Sequence, residues 1–334
     1  MELSYCVVNT NGRELLLSCL EAIERTHPAG VGHEVLVLDN GSDDGSAAAV
    51  AERFGDVRLI ARRRRAGLAE NNSMLLSEAQ GRFCLLLNED SEVLDGAAAA
   101  LLAVMRADPG AAAAGAQLVD PDRRPIACAW RYPGLGTAFA QALFLHRLLV
   151  TQSGSGRGEE AREVGWVQSC TMLVRRSAAE QVGYLDRDFF VYSEEVDFQR
   201  RMRGAGWTIL HVPAAAAIHH EQLATDRSGA ERRIVQFHRG RDTYMRKHHS
   251  AGVVLACRLM WAWSYLVRAL AAVVIADRDP RRYLAHARQA LRPARGVGMR
   301  EAADAYNRRL DAVELDDEGA DQVPGRSSSR ATAS

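Results

Sequence analysis

The chain is 334 residues long and 47% hydrophobic, with 42 basic and 42 acidic side chains, so it can bury a substantial core in one large or two modest domains. Its zero formal charge excludes a global field that recruits nucleic acid, and any anionic ligand must be met by local groups. Six cysteines (Cys6, Cys19, Cys84, Cys128, Cys170 and Cys257) are scattered without a C-x-x-C pair and read as small core residues in a reducing compartment. An acid at position 2 and no basic segment ahead of the first apolar run predict no signal peptide.

Along the first 90 residues, short apolar runs alternate with amphipathic stretches. The segments YCVVN (5–9), EVLVLD (34–39), VRLIA (57–61) and FCLLLN (83–88) predict strands that are apolar on both faces, as parallel strands covered by helices must be. Between them, Leu15, Leu16, Cys19, Leu20 and Ile23 follow helical spacing, and GLAENNSMLLSEAQG predicts a helix closed by Gly81. Alternating strand and helix of this kind predicts an α/β fold with an open, doubly wound, mostly parallel sheet, in which ligands gather at the carboxyl ends of the strands. Polar residues sit at those ends: Asn9, Thr10 and Asn11, then Asp39 and Asn40, then Asn88, Glu89 and Asp90.

Further along come an Ala-rich helix near 95–107, a strand near 115–119 and a turn at DPDRRP. Residues 151–163 lack apolar periodicity and predict a mobile loop. Their glycines follow no strand, which rejects a dinucleotide fingerprint. WVQSCTMLV predicts one strand, Ser177 a helix cap, and DFFVYSEEVDFQRRMRGAGW a loop entering a helix, with the strand TILHVP after it. The expected organisation is a nucleotide-binding and catalytic domain over 1–225, a helical extension over 226–315 and a disordered tail from 316.

Two clusters suggest chemistry. NEDSE, at the exit of the fourth strand, is either a polar turn or a set of carboxylates for a hard cation. In SEEVDFQRR, Glu194 and Glu195 suit the first turn of a helix, and Asp197 with Arg201 forms an i,i+4 pair. Those roles leave Phe189, Phe190 and Tyr192 unexplained; such aromatics can shield a carboxylate and raise its pKa toward that of a useful base.

In order and spacing, VVNTNGRELLLSCLEAI, VLDNGSDDGS, RAGLAENNSMLLSEAQGRFCLLLNEDSEV, WVQSCTMLVRR, GYLDRDFFVYSEEVDFQRRMRGAGW and IHH resemble the family 2 glycosyltransferases, and most closely their rhamnosyltransferase-like branch, over roughly residues 4–250. The resemblance implies a GT-A fold and inverting transfer of a sugar, with dTDP-rhamnose as first donor and a UDP-hexose as second. The implied acceptor is a glycan or glycolipid hydroxyl. It also implies Asp39 as a partner for the nucleotide base, Asp90 as ligand to Mg²⁺ or Mn²⁺, and Glu195 as catalytic base with Glu194 sharing or orienting that role. One of His219 and His220 would stand near the metal or the diphosphate. Asn9, Asn11, Gly67, Asn72, Asn88, Glu89, Trp166 and Arg201 complete the expected donor site; Trp166 equally suits core packing, and Arg201 equally suits support of Asp197. The chain departs from the family pattern at Glu89 in place of Pro, Arg65 in place of Asn and Ser169 in place of Gly. Turn chemistry is the preferred role for Asp43 and Asp44, and Arg65 is a weaker candidate for the donor phosphate.

The apolar stretch 253–276 is interrupted by Arg258 and Arg268 and has no uncharged run near the ~20 residues a membrane span needs. It reads as a core helix or as an interfacial helix on a membrane, so the expected location is cytoplasmic or peripheral on the inner membrane face. Three other classes compete. A nicotinamide oxidoreductase wants a Gly-rich first turn where this chain has VVNTNGRE. A catalytically silent nucleotide-sugar-binding protein would not need Asp90 and Glu195. A processive synthase would need several membrane spans.

Overall fold

The computed structural model describes residues 1–153, 160–220, 229–275 and 279–320. Strand β1 (Leu3–Asn9), helix α1 (Arg13–Thr26), β2 (His33–Asn40), α2 (Ser46–Arg53), β3 (Val57–Arg62), α3 (Leu68–Glu78) and β4 (Phe83–Asn88) follow the predicted alternation. Then come β5 (Ser91–Val93), α4 (Ala97–Ala107), β6 (Ala111–Val119), β7 (Ala129–Trp130), α5 (Leu135–Ala142) and α6 (His146–Leu149). The later elements are β8 (Arg162–Glu163), β9 (Trp166–Val167), β10 (Thr171–Arg175), α7 (Arg176–Val182), α8 (Glu194–Gly204) and β11 (Thr208–His219). Among the described residues four helices follow: α9 (Ala230–His248), α10 (Ala251–Val274), α11 (Pro280–Leu291) and α12 (Met299–Ala320).

Side-chain alternation along β1 shows why the sheet forms. Leu3, Tyr5 and Val7 join one core layer with Leu16, Leu20 and Ile23 of α1, while Cys6 and Val8 join the opposite layer with Leu75 and Leu76 of α3. Both faces are thus dry, and each fully buried Leu contributes about 1.5–3 kcal/mol of apolar transfer. The main sheet runs β3-β2-β1-β4-β10-β6-β11-β5, with β8 paired to β11 off that path. The pairs β3–β2, β2–β1 and β1–β4 are parallel; β10 runs antiparallel between β4 and β6, and β5 runs antiparallel to β11. Because β11 runs parallel to β6, the strands β1, β2, β3, β4, β6 and β11 share one direction while β5, β8 and β10 run the other way, so the sheet is mixed and mostly parallel, as expected.

Several expectations change in detail. WVQSCTMLV is two strands rather than one, because the chain turns at Ser169 and Cys170. Gln199 of α8 enforces that break: its amide accepts from Val167 N at 2.8 Å and donates to Val167 O at 2.7 Å, replacing the ladder partner a strand would offer. Ser177 lies inside α7, whose N-cap is Arg175, so it caps nothing. The ends of the expected mobile loop are held in place. Ser153 Oγ accepts from Cys128 N and Ala129 N at 2.8 and 3.1 Å, and β8 pairs with β11; residues 154–159 lie outside the described set. Helix α12 continues to Ala320, past the expected start of the tail, whose remainder also lies outside the described residues. All six cysteines are buried and free.

Candidate active site

The carboxyl end of β4 delivers its acids to a defined place. Glu89 N donates to Val8 O at 3.2 Å, after which β5 pairs with the end of β11, setting Ser91 opposite His219 and Glu92 opposite Ile218. His220 N donates to Asp90 O at 2.9 Å. This register brings His219 Nε2 to 3.4 Å from Asp90 Oδ1, with both residues buried, and puts His220 Nε2 at 2.7 Å from Glu92 Oε1. His219 is therefore the member of the pair that faces Asp90; His220 is occupied by Glu92.

Glu194 and Glu195 arrive from the other side on a constrained turn. Tyr192 and Ser193 both adopt left-handed backbone, at φ 71° and 72°, a conformation that costs energy in non-glycine residues and collects at functional sites. Packing holds the turn from two directions. Leu68 N, at the start of α3, donates to Phe190 O at 2.6 Å, and a Cβ on Gly67 would sit 2.6 Å from that oxygen. A Cβ on Gly240 of α9 would come within 2.1 Å of Tyr192 O. The roles of the two glycines are thus to let two helices clamp this backbone. Helix α8 begins at Glu194 immediately afterwards.

Electrostatics separate the acids of α8. Asp197 is ion-paired with Arg201 Nε at 2.7 Å and lies within hydrogen-bond distance of His248 Nε2 at 2.8 Å. Glu194 and Glu195 each leave an Oε2 atom without a hydrogen-bond partner among the described residues. Burial is the main cause of their shifts: it pushes Glu195 up to about 7 and Glu194 well above the carboxylate range, the latter also feeling Glu195. Burial and then the Asp90 charge push Glu89 up to about 8. A carboxyl near 7 is matched to accepting a proton at neutral pH.

Two cavities meet at Asn88. The larger, about 500 Å³, is lined by Asn11, Asn40, Asn71, Asn88 and Glu89 on the sheet side and by Arg232, Arg233, Met299 and Tyr306 on the helical side. The smaller, about 350 Å³, gathers Asn88, Asp90, Glu194, Glu195 and His219, together with Gln168 and Arg233. Thus the structure unites Asn11, Asn88, Glu89, Asp90, Glu194, Glu195 and His219 along one crevice.

Most of the other candidates lie outside the crevice lining. Asn9 and Asp39 are buried beneath the crevice wall, where Asp39 accepts from Asn9 Nδ2 at 2.8 Å and from Ser42 N at 3.0 Å. Asn72 is buried in α3. Trp166 stacks on Trp130 at 4.5 Å between centroids, with its Nε1 donating to Arg131 O, contacts that match the packing role. Arg201 anchors α8 by donating to Val182 O and Tyr184 O besides Asp197. Arg65 lines the larger cavity with its guanidinium 3.8 Å over Tyr306. Asp44 accepts from Ser46 N, which is turn chemistry as expected, and also from Arg13 N at the start of α1.

Sequence reading missed Asn71, Gln168, Arg232, Arg233 and the α12 wall. Arg232 and Arg233 resembled any solvated basic pair, and α12 joins the site only through tertiary packing, where Asn307 clamps Arg65 by accepting from its N at 2.8 Å and donating to its O at 2.9 Å.

Among the described residues no group of three metal-ligating side chains is assembled. Asp90 and His219 nevertheless offer a buried carboxylate oxygen and an imidazole nitrogen side by side. That donor pair fits a divalent cation that takes its remaining ligands from phosphates and water.

The family model for glycosyl transferase family 2 matches residues 4–183. An N-acetylglucosaminyl-diphospho-decaprenol L-rhamnosyltransferase of Mycobacterium tuberculosis is 32% identical over 232 residues, covering 65% of this chain and 75% of its own. Among solved structures, GalNAc-T7 with UDP, GalNAc and Mn²⁺ matches at TM-score 0.57 and 15% identity, over 72% of this chain but only 47% of that one, about half its length. A mannosyltransferase from Pyrobaculum calidifontis in complex with GDP-Man and Mn²⁺ matches at TM-score 0.54 and 16% identity, over 94% of this chain and 80% of that one. These likenesses establish the GT-A fold.

Proposed function

Because the chain belongs to glycosyl transferase family 2, we propose that it moves a sugar, rhamnose from dTDP-rhamnose, onto a hydroxyl of a lipid-linked glycosyl diphosphate with inversion. The observation that carries this reading is the convergence of Glu195 with the Asp90–His219 pair on one cavity that joins a larger one at Asn88. The larger cavity suits the nucleoside diphosphate and the smaller one the transferred sugar and the acceptor hydroxyl. The mycobacterial relative acts on a diphospho-decaprenol substrate according to its name, which supports the acceptor class.

In this mechanism Glu195 takes the proton from the acceptor hydroxyl as its oxygen bonds to the anomeric carbon and the bond from that carbon to the diphosphate breaks. Burial and the neighbouring Glu195 push the Glu194 carboxyl well above the carboxylate range, which disfavours a second charge beside the base. Asp90 and His219 would hold Mg²⁺ or Mn²⁺, which when bound supplies positive charge to the departing diphosphate. Arg233, lining both cavities, is placed to bind the same phosphates. The chemistry belongs on the cytoplasmic face of a membrane, where nucleotide donor and lipid acceptor meet.

The test is nucleotide release by purified protein from a panel of dTDP- and UDP-sugars, with and without Mn²⁺ or Mg²⁺. Metal-dependent release from dTDP-rhamnose, stimulated by a prenyl-diphosphate-linked acceptor and lost in Asp90→Asn, is expected. Tight donor binding with no release in the presence of that acceptor would instead make the chain a silent nucleotide-sugar-binding protein.

A further inference from the structure

A second basic cavity lies outside this crevice. About 290 Å³ in volume, it sits where α5 and α6 meet α9, α10 and α11, and its lining includes His146, Arg241, Trp261, Tyr265 and Arg268. Among the described residues neither arginine forms an ion pair with a carboxylate. Arg241 Nη2 donates to His238 Nδ1 at 2.9 Å with its guanidinium 3.7 Å over the Trp261 ring, and Arg268 Nη1 donates to Ser264 Oγ at 2.6 Å. Two more polar atoms of the lining, His146 Nδ1 and Trp261 Nε1, are buried without a hydrogen-bond partner among the described residues. Asp242, whose carboxylate is paired with Arg258, acts on Arg241 only at longer range; partly desolvated cations without an ion-pair partner among the described residues, beside unused ring nitrogens, are a costly arrangement that an anionic ligand would relieve.

The surroundings of the cavity narrow the class of anion. On its inner side Phe237 lines both this cavity and the crevice, and Tyr265 stacks at 4.7 Å between centroids on His286, which lines the crevice. On its outer side Arg268 lies 5.1 Å from the ring centroid of Phe144. Phe144 is exposed, as are Phe139 and Leu148 of the α5–α6 segment, and α10, against which α5 packs, exposes Leu259, Trp263 and Leu270 in turn. A single ligand that is apolar at one end, doubly anionic in the middle and sugar-bearing at the other would use all three features.

We propose that this cavity binds the diphosphate of a prenyl-diphosphate-linked acceptor, with the prenyl chain along the α5–α10 face and the sugar passing Phe237 and His286 toward Glu195. The inference rests on the transferase reading above, since that reading supplies the sugar and the reacting hydroxyl. Arg268 and His146 would contact the phosphates directly, and Arg241 would supply charge from below.

Farnesyl diphosphate, titrated into the full chain and followed by tryptophan fluorescence, tests the site without donor or turnover. Saturable binding is expected, weakened roughly tenfold in Arg268→Gln and less in Arg268→Lys, which keeps the charge without the planar fork. His146→Ala removes a group from the short exposed α6 and weakens binding in the same direction, so it serves where an Arg268 variant does not fold. Inorganic pyrophosphate, farnesol and dihexanoyl phosphatidylglycerol are expected to bind more weakly, each supplying part of the ligand or a single phosphate. Absence of binding, equal binding by the variants, or pyrophosphate binding as tight as farnesyl diphosphate would overturn the proposal. A chain that binds farnesyl diphosphate through Arg268 yet transfers no sugar keeps this site and loses the transferase reading. A chain that transfers sugar while binding farnesyl diphosphate independently of Arg268 and His146 does the reverse.

Discussion

Glu195 combines a buried Oε2 atom, without a hydrogen-bond partner among the described residues, with a place in the crevice that Asp90 and His219 also line. In its proposed role as base Glu195 must be ionised, so kcat/KM measured against pH should fall on the acid side with a midpoint near the value of about 7 to which burial raises it. Glu195→Gln should lower kcat roughly 10²–10⁴-fold while leaving the donor bound, as single-turnover and donor-titration measurements would reveal; a flat acid limb would remove Glu195 as the base. The same shift has a consequence for stability. The folded chain holds a proton on Glu195 between 4.5 and about 7 that the unfolded chain has released, so stability should decline as pH rises through that window. Melting curves of Glu195→Gln should lose part of that decline. The two histidines make a parallel point at this scale, since identical neighbours in sequence have different partners, Asp90 and Glu92, because strand alternation turns them apart.

At the scale of elements, the turn before α8 is the device that aims the acids. It is held between Gly67 at the start of α3 and Gly240 in the middle of α9. Gly240→Ala places a methyl group against the Tyr192 carbonyl and should destabilise the protein by about 1–3 kcal/mol, with a fall in kcat larger than the change in donor KM. Gly252 is the control: its added Cβ would meet nothing within 4 Å, so Gly252→Ala should leave the melting temperature unchanged or raise it. Equal effects of the two substitutions would remove the clamp from the account. Elements were legible where period and length spoke together. The first four strands and α3 follow from apolar runs and the glycines around them, and the observed ends lie within a few residues of those expected. The break in WVQSCTMLV was not legible, because the group that makes it, Gln199, lies 32 positions away in sequence. Likewise nothing in the local pattern of α12 marks it as a wall of the larger cavity.

On the scale of the whole molecule, α10 is long and apolar enough to cross a membrane, yet only 33% of its most apolar window is buried. Leu255, Leu259, Trp263, Leu266 and Leu270 recur at three- or four-residue steps on its exposed side, which makes one continuous stripe. Its two arginines are engaged on the protein side, Arg258 with Asp242 and Arg268 with Ser264. Such a stripe suits a helix lying in the membrane interface rather than across it. The double variant Leu259→Asp/Leu270→Asp should reduce co-sedimentation with phospholipid vesicles several-fold; a bound fraction equal to that of the unaltered chain would detach this face from membrane contact. The sequence alone determined the class of sheet, the strand ends that carry polar residues, and the motifs of a family 2 glycosyltransferase, because periodicity, strand-exit acids and co-linear motifs are local or ordered along the chain. Tertiary structure alone decided that His219 faces Asp90, that Trp166 and Arg201 pack away from the crevice, and that α5 and α6 meet α9, α10 and α11 around the basic cavity beside it. Those outcomes depend on register, on side-chain direction and on contacts between residues far apart in sequence, and no single segment encodes them.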